Sequence, residues 1–342
     1  MKDAWAWKKY QMLNHVKCGI NDGWNRTMEE IGKPNLKYEP EIKRPEKIAG
    51  RPVMSVGKTY ELIADKIMSE TPFLVERFGR VELNMIIQVL NMRYGSRIDE
   101  RQKALEALCI LAGFFPAQIQ MGEKFVDLML KEIPNIDLHA ICHLYMEEYM
   151  LDRYEKDAKL TYLKYIEPFH ISRKSKIKPW SHALSGKKVL IIHPFAEIIE
   201  NQYHNHRKEI FSRVYDADDI LPEFDLKTLK AVQTIAGNRD NRFATWFDAL
   251  NWMKEECAKI DFDVAILGCG AYGYSLAAEI KRMGKVAIYM GGGTQLLFGI
   301  KGARWEDPDY KWYKNIINES WVRPGENEKV KNMHRVENGC YW

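Results

Sequence analysis

Residues Asp261 to Gly273 read Asp-Phe-Asp-Val-Ala-Ile-Leu-Gly-Cys-Gly-Ala-Tyr-Gly, an apolar run that passes straight into Gly-x-Gly-x-x-Gly. An Ala/Leu/Glu/Lys-rich stretch follows as far as Met283 and predicts a helix. Strand, glycine turn and helix in that order make a phosphate-binding unit: glycines let backbone N–H groups approach an anion, and the helix N-terminus adds positive partial charge. A second apolar run, Val286 to Met290, enters Gly291-Gly292-Gly293-Thr294-Gln295. Two strand ends thus carry open backbone at one sheet edge, where open α/β sheets bind ligands. A phosphorylated ligand is expected there, held by Gly268, Gly270, Gly273, Gly291, Gly292, Gly293, Thr294 and Gln295. The competing reading is that the glycines serve close helix–strand packing alone.

A nicotinamide dinucleotide fold would place an Asp or Glu at the end of the second strand to hold the adenosine ribose. That strand ends Tyr289-Met290-Gly291, with no acid and no Arg for a 2′-phosphate. The fingerprint also lies late, leaving too little chain for a second mononucleotide-binding half. A mononucleotide or a nucleotide-diphosphate sugar fits better than NAD(P), and an NAD(P)-dependent oxidoreductase is kept as an alternative.

The composition bounds the class. The chain has 342 residues, 46% hydrophobic and 29% charged, enough for a sizeable core in an ordinary globular protein. A net charge of +4, with Lys and Arg scattered among nearly as many acids, gives no basic face for nucleic acid. The six cysteines have no Cys-x-x-Cys pair and sit mostly in apolar runs, as expected of reduced thiols in a cytoplasmic protein. The N-terminal stretch Met1-Lys-Asp-Ala-Trp-Ala-Trp-Lys-Lys-Tyr has no apolar core of a signal peptide, and the longest apolar stretch, Ala107 to Phe115, stops at Pro116, too short for a membrane span. Trp5 and Trp7 beside lysines fit either peripheral contact with a membrane surface or docking onto the protein's own core.

Residues 1–52 read as an N-terminal helical arm and linker, the linker being the Pro-, Lys- and Glu-rich stretch from Lys33 to Pro52. The body spans 53–305, with a helical insertion at about 97–170, and 306–342 form a polar and aromatic tail. Within the body the pattern predicts a helix over 59–69, a strand near 72–79 and a helix over 81–92. From Asp99 to Leu151 helical spacing dominates, with no strand signal. Lys187 to His193 is a buried strand followed by a helix over about 196–214, Leu226 to Ile235 is expected as another helix, and 244–260 is a helix. This alternation predicts a Rossmann-like α/β fold with a mostly parallel sheet of five or six strands.

Three segments together carry a resemblance: Arg77-Phe-Gly-Arg-Val-Glu82, Gly268-Cys-Gly-Ala-Tyr-Gly273, and Gly291-Gly-Gly-Thr-Gln295 continuing to Trp305. Over roughly Val56 to Trp305 the chain resembles the GT-D class of bacterial glycosyltransferases. The resemblance implies transfer of a sugar from a nucleotide-diphosphate donor to a growing surface glycan or glycoprotein, including an acceptor carried on a membrane lipid. A non-catalytic nucleotide-sugar-binding protein of such a pathway is the other alternative. The family's first motif is Arg-Phe-Gly-Asp-Gly-Glu, whose Asp-x-Glu pair goes with a divalent metal and the donor diphosphate. Arg77, Phe78, Gly79 and Glu82 match it, whereas Arg80 and Val81 replace the Asp and second Gly. The resemblance implies Mn²⁺ or Mg²⁺ with Glu82 as the remaining ligand, yet a guanidinium in place of a carboxylate reverses the local charge. Arg80 or Arg77, with the glycine turns, can then hold and neutralise the leaving diphosphate, or Arg80 can pair with Glu76 or Glu82 in a site that has lost its activity.

His193 ends a strand at the ligand-bearing edge, and Glu197 opens the next helix, so His193 is a candidate for phosphate or sugar binding and Glu197 or Glu82 for the base. The alternative for Glu197 is helix-dipole stabilisation. The acids Asp216, Asp218, Asp219 and Glu223 make an acidic loop that could offer a base or a metal ligand, the alternative being an ordinary solvent-exposed turn. His204 and His206 diverge by about 200° on a helix and cannot share an ion, while His143 and Glu147 would share a helical face at i,i+4.

Overall fold

The computed structural model describes residues 3–13, 44–171, 175–215 and 217–342. Most of the expected arm and linker, Cys18 and Asp216 lie outside them. In chain order the first half runs α1 (3–13), β1 (Lys47–Ile48), β2 (Arg51–Pro52), α2 (Val56–Met68), β3 (Phe73–Glu76), α3 (Arg80–Arg93), α4 (Arg101–Ala112), α5 (Ile119–Glu132), β4 (Leu138–Ile141), α6 (Glu147–Arg153), β5 (Lys159–Tyr162) and α7 (Leu163–Ile166). The second half runs β6 (Lys188–His193), α8 (Ala196–His206), α9 (Ala217–Ile220), β7 (Asp225–Lys230), α10 (Trp246–Ala258), β8 (Val264–Leu267), α11 (Tyr272–Arg282), β9 (Val286–Tyr289), α12 (Gly293–Leu297) and α13 (Ala303–Glu306), and closes in short 3-10 turns.

The main sheet has seven strands in the order β5-β4-β3-β9-β8-β6-β7, all parallel. From β3 the chain builds outward through β4 and β5. It then crosses to lay down β6 and β7, and returns inward through β8 and β9, so the first and last main strands become neighbours, with Phe73 opposite Val286. After β3 the chain enters α3, which packs on one face; after β9 it enters α12, which packs on the other. Neighbouring strands whose continuations part to opposite faces open a crevice at their carboxyl ends, and that crevice positions the candidate site.

The alternation of strands and helices is as expected, but the sheet is larger than five or six strands. The helical insertion expected at about 97–170 is corrected: it begins with α4 and α5 but also carries β4 and β5, which extend the sheet. Leu138-His139-Ala140-Ile141 is buried at every position, so it shows none of the alternation that betrays a half-exposed strand. His143 has φ of +56° in the turn before α6, so it shares no helical face with Glu147. The helix expected over Leu226–Ile235 is corrected: the chain there forms the edge strand β7, which ends at Lys230, and α8 ends at His206, short of 214.

Local signals place several boundaries. Ser55 caps α2, its side chain accepting from the Lys58 N–H, and Thr245 with Asp248 forms a capping box at α10. The segment 306–342 joins the main core through Trp312, Tyr313, Ile316, Trp321 and Trp342. In α1 Trp7 docks inward, its Nε1–H donating to Asn91 Oδ1 at 2.9 Å, while Trp5 stays exposed. Among the described residues no helix is long and apolar enough to cross a membrane.

Candidate functional site

Arg77 is the first residue beyond β3, and the β3–β9 register delivers its guanidinium to the β9 side of the crevice. It lies over the Tyr289 ring, 4.6 Å from the centroid, and donates long hydrogen bonds to Tyr289 Oη (3.3 Å) and the Phe78 carbonyl (3.4 Å). Among the described residues no carboxylate comes within ion-pairing distance of it. Burial works against its charge, but Tyr289, Cys142, Glu82 and Tyr341 together hold its pKa above the usual arginine value. A partly buried guanidinium with weak neutral partners is poised for an anion.

The turn Gly291-Gly292-Gly293 meets this arginine. A methyl group on Gly291, whose φ is +63°, would collide with the Arg77 guanidinium. On Gly292 it would lie 3.3 Å from Trp305 and 3.7 Å from Tyr341, and on Gly293 3.1 Å from Glu167 Oε1. Three consecutive positions therefore face the end of β3, the final residues of the chain and the segment after β5, and no side chain fits at Gly291. Glu167 is buried, bonded by Lys164 Nζ at 3.1 Å and by Tyr313 Oη at 3.2 Å. Thr294 and Gln295 turn to structural work: Thr294 Oγ1 donates to the Leu267 carbonyl at 2.9 Å, and Gln295 Nε2 donates to the carbonyls of Ile300 and Tyr341.

The fingerprint turn is filled by the protein itself. A Cβ at Gly268 would meet the Gly291 carbonyl, His193 and Thr294; at Gly270, whose φ is +58°, it would lie 2.7 Å from the Ala112 carbonyl; at Gly273 it would enter the Tyr289 ring. The N–H of Ala271 donates to the Ala112 carbonyl at 3.0 Å, and that of Gly273 to Gly270 at 3.1 Å. The close-packing reading thus accounts for these three glycines, and part of the backbone that would cradle a phosphate is already engaged.

Gly79 is the N-cap of α3, and Glu82, three residues on, folds its carboxylate back over it. Burial pushes the Glu82 carboxyl up, with the charge of Arg77 opposing. Arg80 is exposed on the first turn of α3 and has no carboxylate partner among the described residues, so it pairs with neither Glu76 nor Glu82. With one carboxylate folded onto the helix start and a guanidinium pointing to solvent, these residues do not fit a divalent metal. Among the described residues no group of three or more His, Cys, Asp or Glu side chains is placed to hold one.

His193 is buried at the end of β6, its Nδ1 accepting from the Phe195 N–H at 3.0 Å, and burial drives its pKa down to about 3. It is a neutral ring packed against Gly268. Glu197 is not brought to the crevice. Its carboxylate is exposed and pairs with Lys230 at 2.8 Å, beside a shallow depression that Arg323 and Glu328 also line. Asp218 likewise pairs with Arg207 at the surface.

Beneath Arg77 lies a charged layer that the sequence reading missed. β3 places Glu76 opposite His139 of β4, and His139 is sandwiched between Glu147 (3.2 Å) and Glu155 (2.9 Å), all buried. Burial opposes protonation of His139, but the two carboxylates win and raise its pKa to about 10. Burial also lifts the Glu76 carboxyl well above the ordinary range, with the Arg77 N–H and the charges of Arg77 and His139 opposing. Lys164, Glu167, Tyr289, Arg304 and Tyr341 were missed as well. Tyr289 alone had a visible signal, standing at the strand end where a ribose-binding acid was sought. No protein family, curated protein or solved structure among those compared matches this chain.

Proposed function

We propose that the protein is a glycosyltransferase that moves a sugar from a nucleotide-diphosphate donor to a growing surface glycan or glycoprotein. The observation that carries this reading is the Arg77 guanidinium, stacked on Tyr289 beside Gly291 with no carboxylate partner among the described residues. It lies at the crevice where open α/β sheets bind ligands. The partial match of Arg77-Phe-Gly-Arg-Val-Glu82 to the GT-D motif supports it.

In this reading Arg77 takes the charge that develops on the diphosphate as the bond from the anomeric carbon to its oxygen breaks. The acceptor hydroxyl forms the new bond to that carbon and gives its proton to Glu167, the carboxylate packed against Gly293 and held by Lys164 and Tyr313. Glu82 and Glu197, first candidates for the base, are set aside because one is folded onto Gly79 and the other is paired at the surface. The lipid-linked acceptor, and peripheral membrane contact through exposed Trp5, belong to the same proposal.

Calorimetric titration with UDP, GDP, CDP, dTDP and NADH tests the reading. One nucleoside diphosphate should bind, and Arg77→Gln should weaken it by at least about tenfold. Binding of NADH alone would replace this reading with the oxidoreductase. Diphosphate binding without transfer to any glycan acceptor would favour the non-catalytic alternative.

A further inference from the structure

We propose that Arg304 and Tyr341 form the second wall of the anion site over Gly291–Gly293, and that the site therefore selects two linked phosphates, a phosphoanhydride, over a single phosphate. The inference rests on reading Arg77 as an anion-binding residue. It adds a second cation, Arg304, and a hydroxyl, Tyr341, neither of which the sequence singled out as a site residue.

Three observations converge. Tyr341 and Trp305 close over Gly292, the residue next to the one that Arg77 covers. The guanidinium carbon of Arg304 lies 4.8 Å from the centroid of the Tyr341 ring. Burial raises the pKa of the Tyr341 hydroxyl, while Arg304 and Arg77 both pull it down, so the phenol lies within the field of two guanidinium groups.

The placement is built. Ala303 N–H donates to the Trp342 carbonyl at 2.9 Å, Arg304 N–H to the Cys340 carbonyl at 3.1 Å, and Arg323 Nη1 to the Trp342 carbonyl at 2.7 Å. Gln295 Nε2 donates to the Tyr341 carbonyl at 3.3 Å, and Trp342 Nε1 to the Glu328 carbonyl at 2.8 Å. A side chain on Gly302 would strike the backbone of Cys340 and Tyr341. Residues 340–342 are thereby locked to the segment that follows the triple glycine.

Arg304 is paired with Glu337 at 2.6 Å, but Glu337 is 51% exposed. An ion pair of that kind is worth little in water, so exchanging Glu337 for a phosphate oxygen is cheap. A single phosphate satisfies one guanidinium, whereas a diphosphate offers a separate set of oxygens to each.

The test is titration of inorganic pyrophosphate and inorganic phosphate into the wild type and into Arg304→Gln, Tyr341→Phe, Glu337→Gln and Arg77→Gln, with thermal unfolding followed in parallel. The wild type should prefer pyrophosphate by at least about tenfold, and Arg304→Gln should lose about tenfold for pyrophosphate while phosphate changes little. Tyr341→Phe should lose a few-fold, and Glu337→Gln should tighten pyrophosphate by releasing Arg304. If Arg304→Gln and Tyr341→Phe bind like the wild type while Arg77→Gln fails, this inference falls and the Arg77 site stands. If Arg304→Gln weakens both anions equally, its role is structural and the inference falls. If the wild type binds neither anion, or Arg77→Gln changes nothing, the underlying anion-site reading falls with it.

Discussion

Two glycine turns lie side by side at the carboxyl edge of this sheet, and they have opposite fates. At Gly268–Gly273 the glycine positions are filled by the Ala112 carbonyl, the Tyr289 ring, His193 and the next turn. At Gly291–Gly293 the neighbours are a guanidinium, two aromatic rings and a carboxylate. The first turn joins elements of the scaffold, whereas the second gathers groups that can meet a ligand. Glycine spacing reports that something approaches the backbone closely, and only the neighbours decide whether that is protein or ligand.

The largest effect that would sharpen this contrast comes from the layer below both turns. His139→Gln leaves Glu147 and Glu155 buried without their cation and should destabilise the fold by about 3–5 kcal/mol in denaturant unfolding. Because the folded pKa of His139 is raised to about 10, its contribution is complete below the unfolded value near 6.5 and is lost as pH rises through 10. Glu76, also raised, has the same sign. Stability should therefore fall between about pH 6.5 and 10, and the fall should be shallower in His139→Gln. A flat profile in the wild type would mean that His139 is neutral when folded.

Next comes the fingerprint turn. Gly273→Ala drives a methyl group into the Tyr289 ring and should lower stability by about 1–3 kcal/mol. In a population that remains folded, pyrophosphate affinity should stay within about threefold, a change below 1 kcal/mol. A stable Gly273→Ala protein with abolished binding would make this turn the ligand site after all and erase the contrast.

Arg77→Gln should act in the opposite sense. Binding should weaken by at least about tenfold, about 1.4 kcal/mol, while the unfolding midpoint holds or rises because an unpaired cation leaves a partly buried place. A marked loss of stability would mean that Arg77 serves packing, and the two turns would then be alike. The smallest effect is expected of Glu197→Gln, which breaks an exposed pair with Lys230. It should change stability by less than about 0.5 kcal/mol and leave nucleotide affinity untouched.

How much was legible varies with the range of the interaction that decides each feature. β8, β9, β6 and the helices around them announced themselves through apolar runs, glycines and helical spacing. β4 did not, because a four-residue strand buried on both faces shows no period and lies among helices. Arg77 and the triple glycine were identified as site residues from their motifs. Glu167, Arg304 and Tyr341 were not, since nothing near them in the chain hints that a strand-order reversal and a returning tail bring them to one turn. Glu197 failed for the converse reason: its place at the start of α8 was read correctly, but Lys230 on the adjacent strand claimed it at the surface.

The sequence by itself determined the α/β class, the strand–glycine–helix units and the sheet edge at which both glycine turns lie, because these follow from local periodicity and from backbone freedom at glycine. The tertiary structure alone decided which glycine turn is filled and which meets the cation, that Glu82 folds back over Gly79, and that Trp305 and Tyr341 pack against Gly292. Those outcomes depend on contacts between segments far apart in the chain, where burial and charge pairing select the partner and local sequence carries no record of the choice.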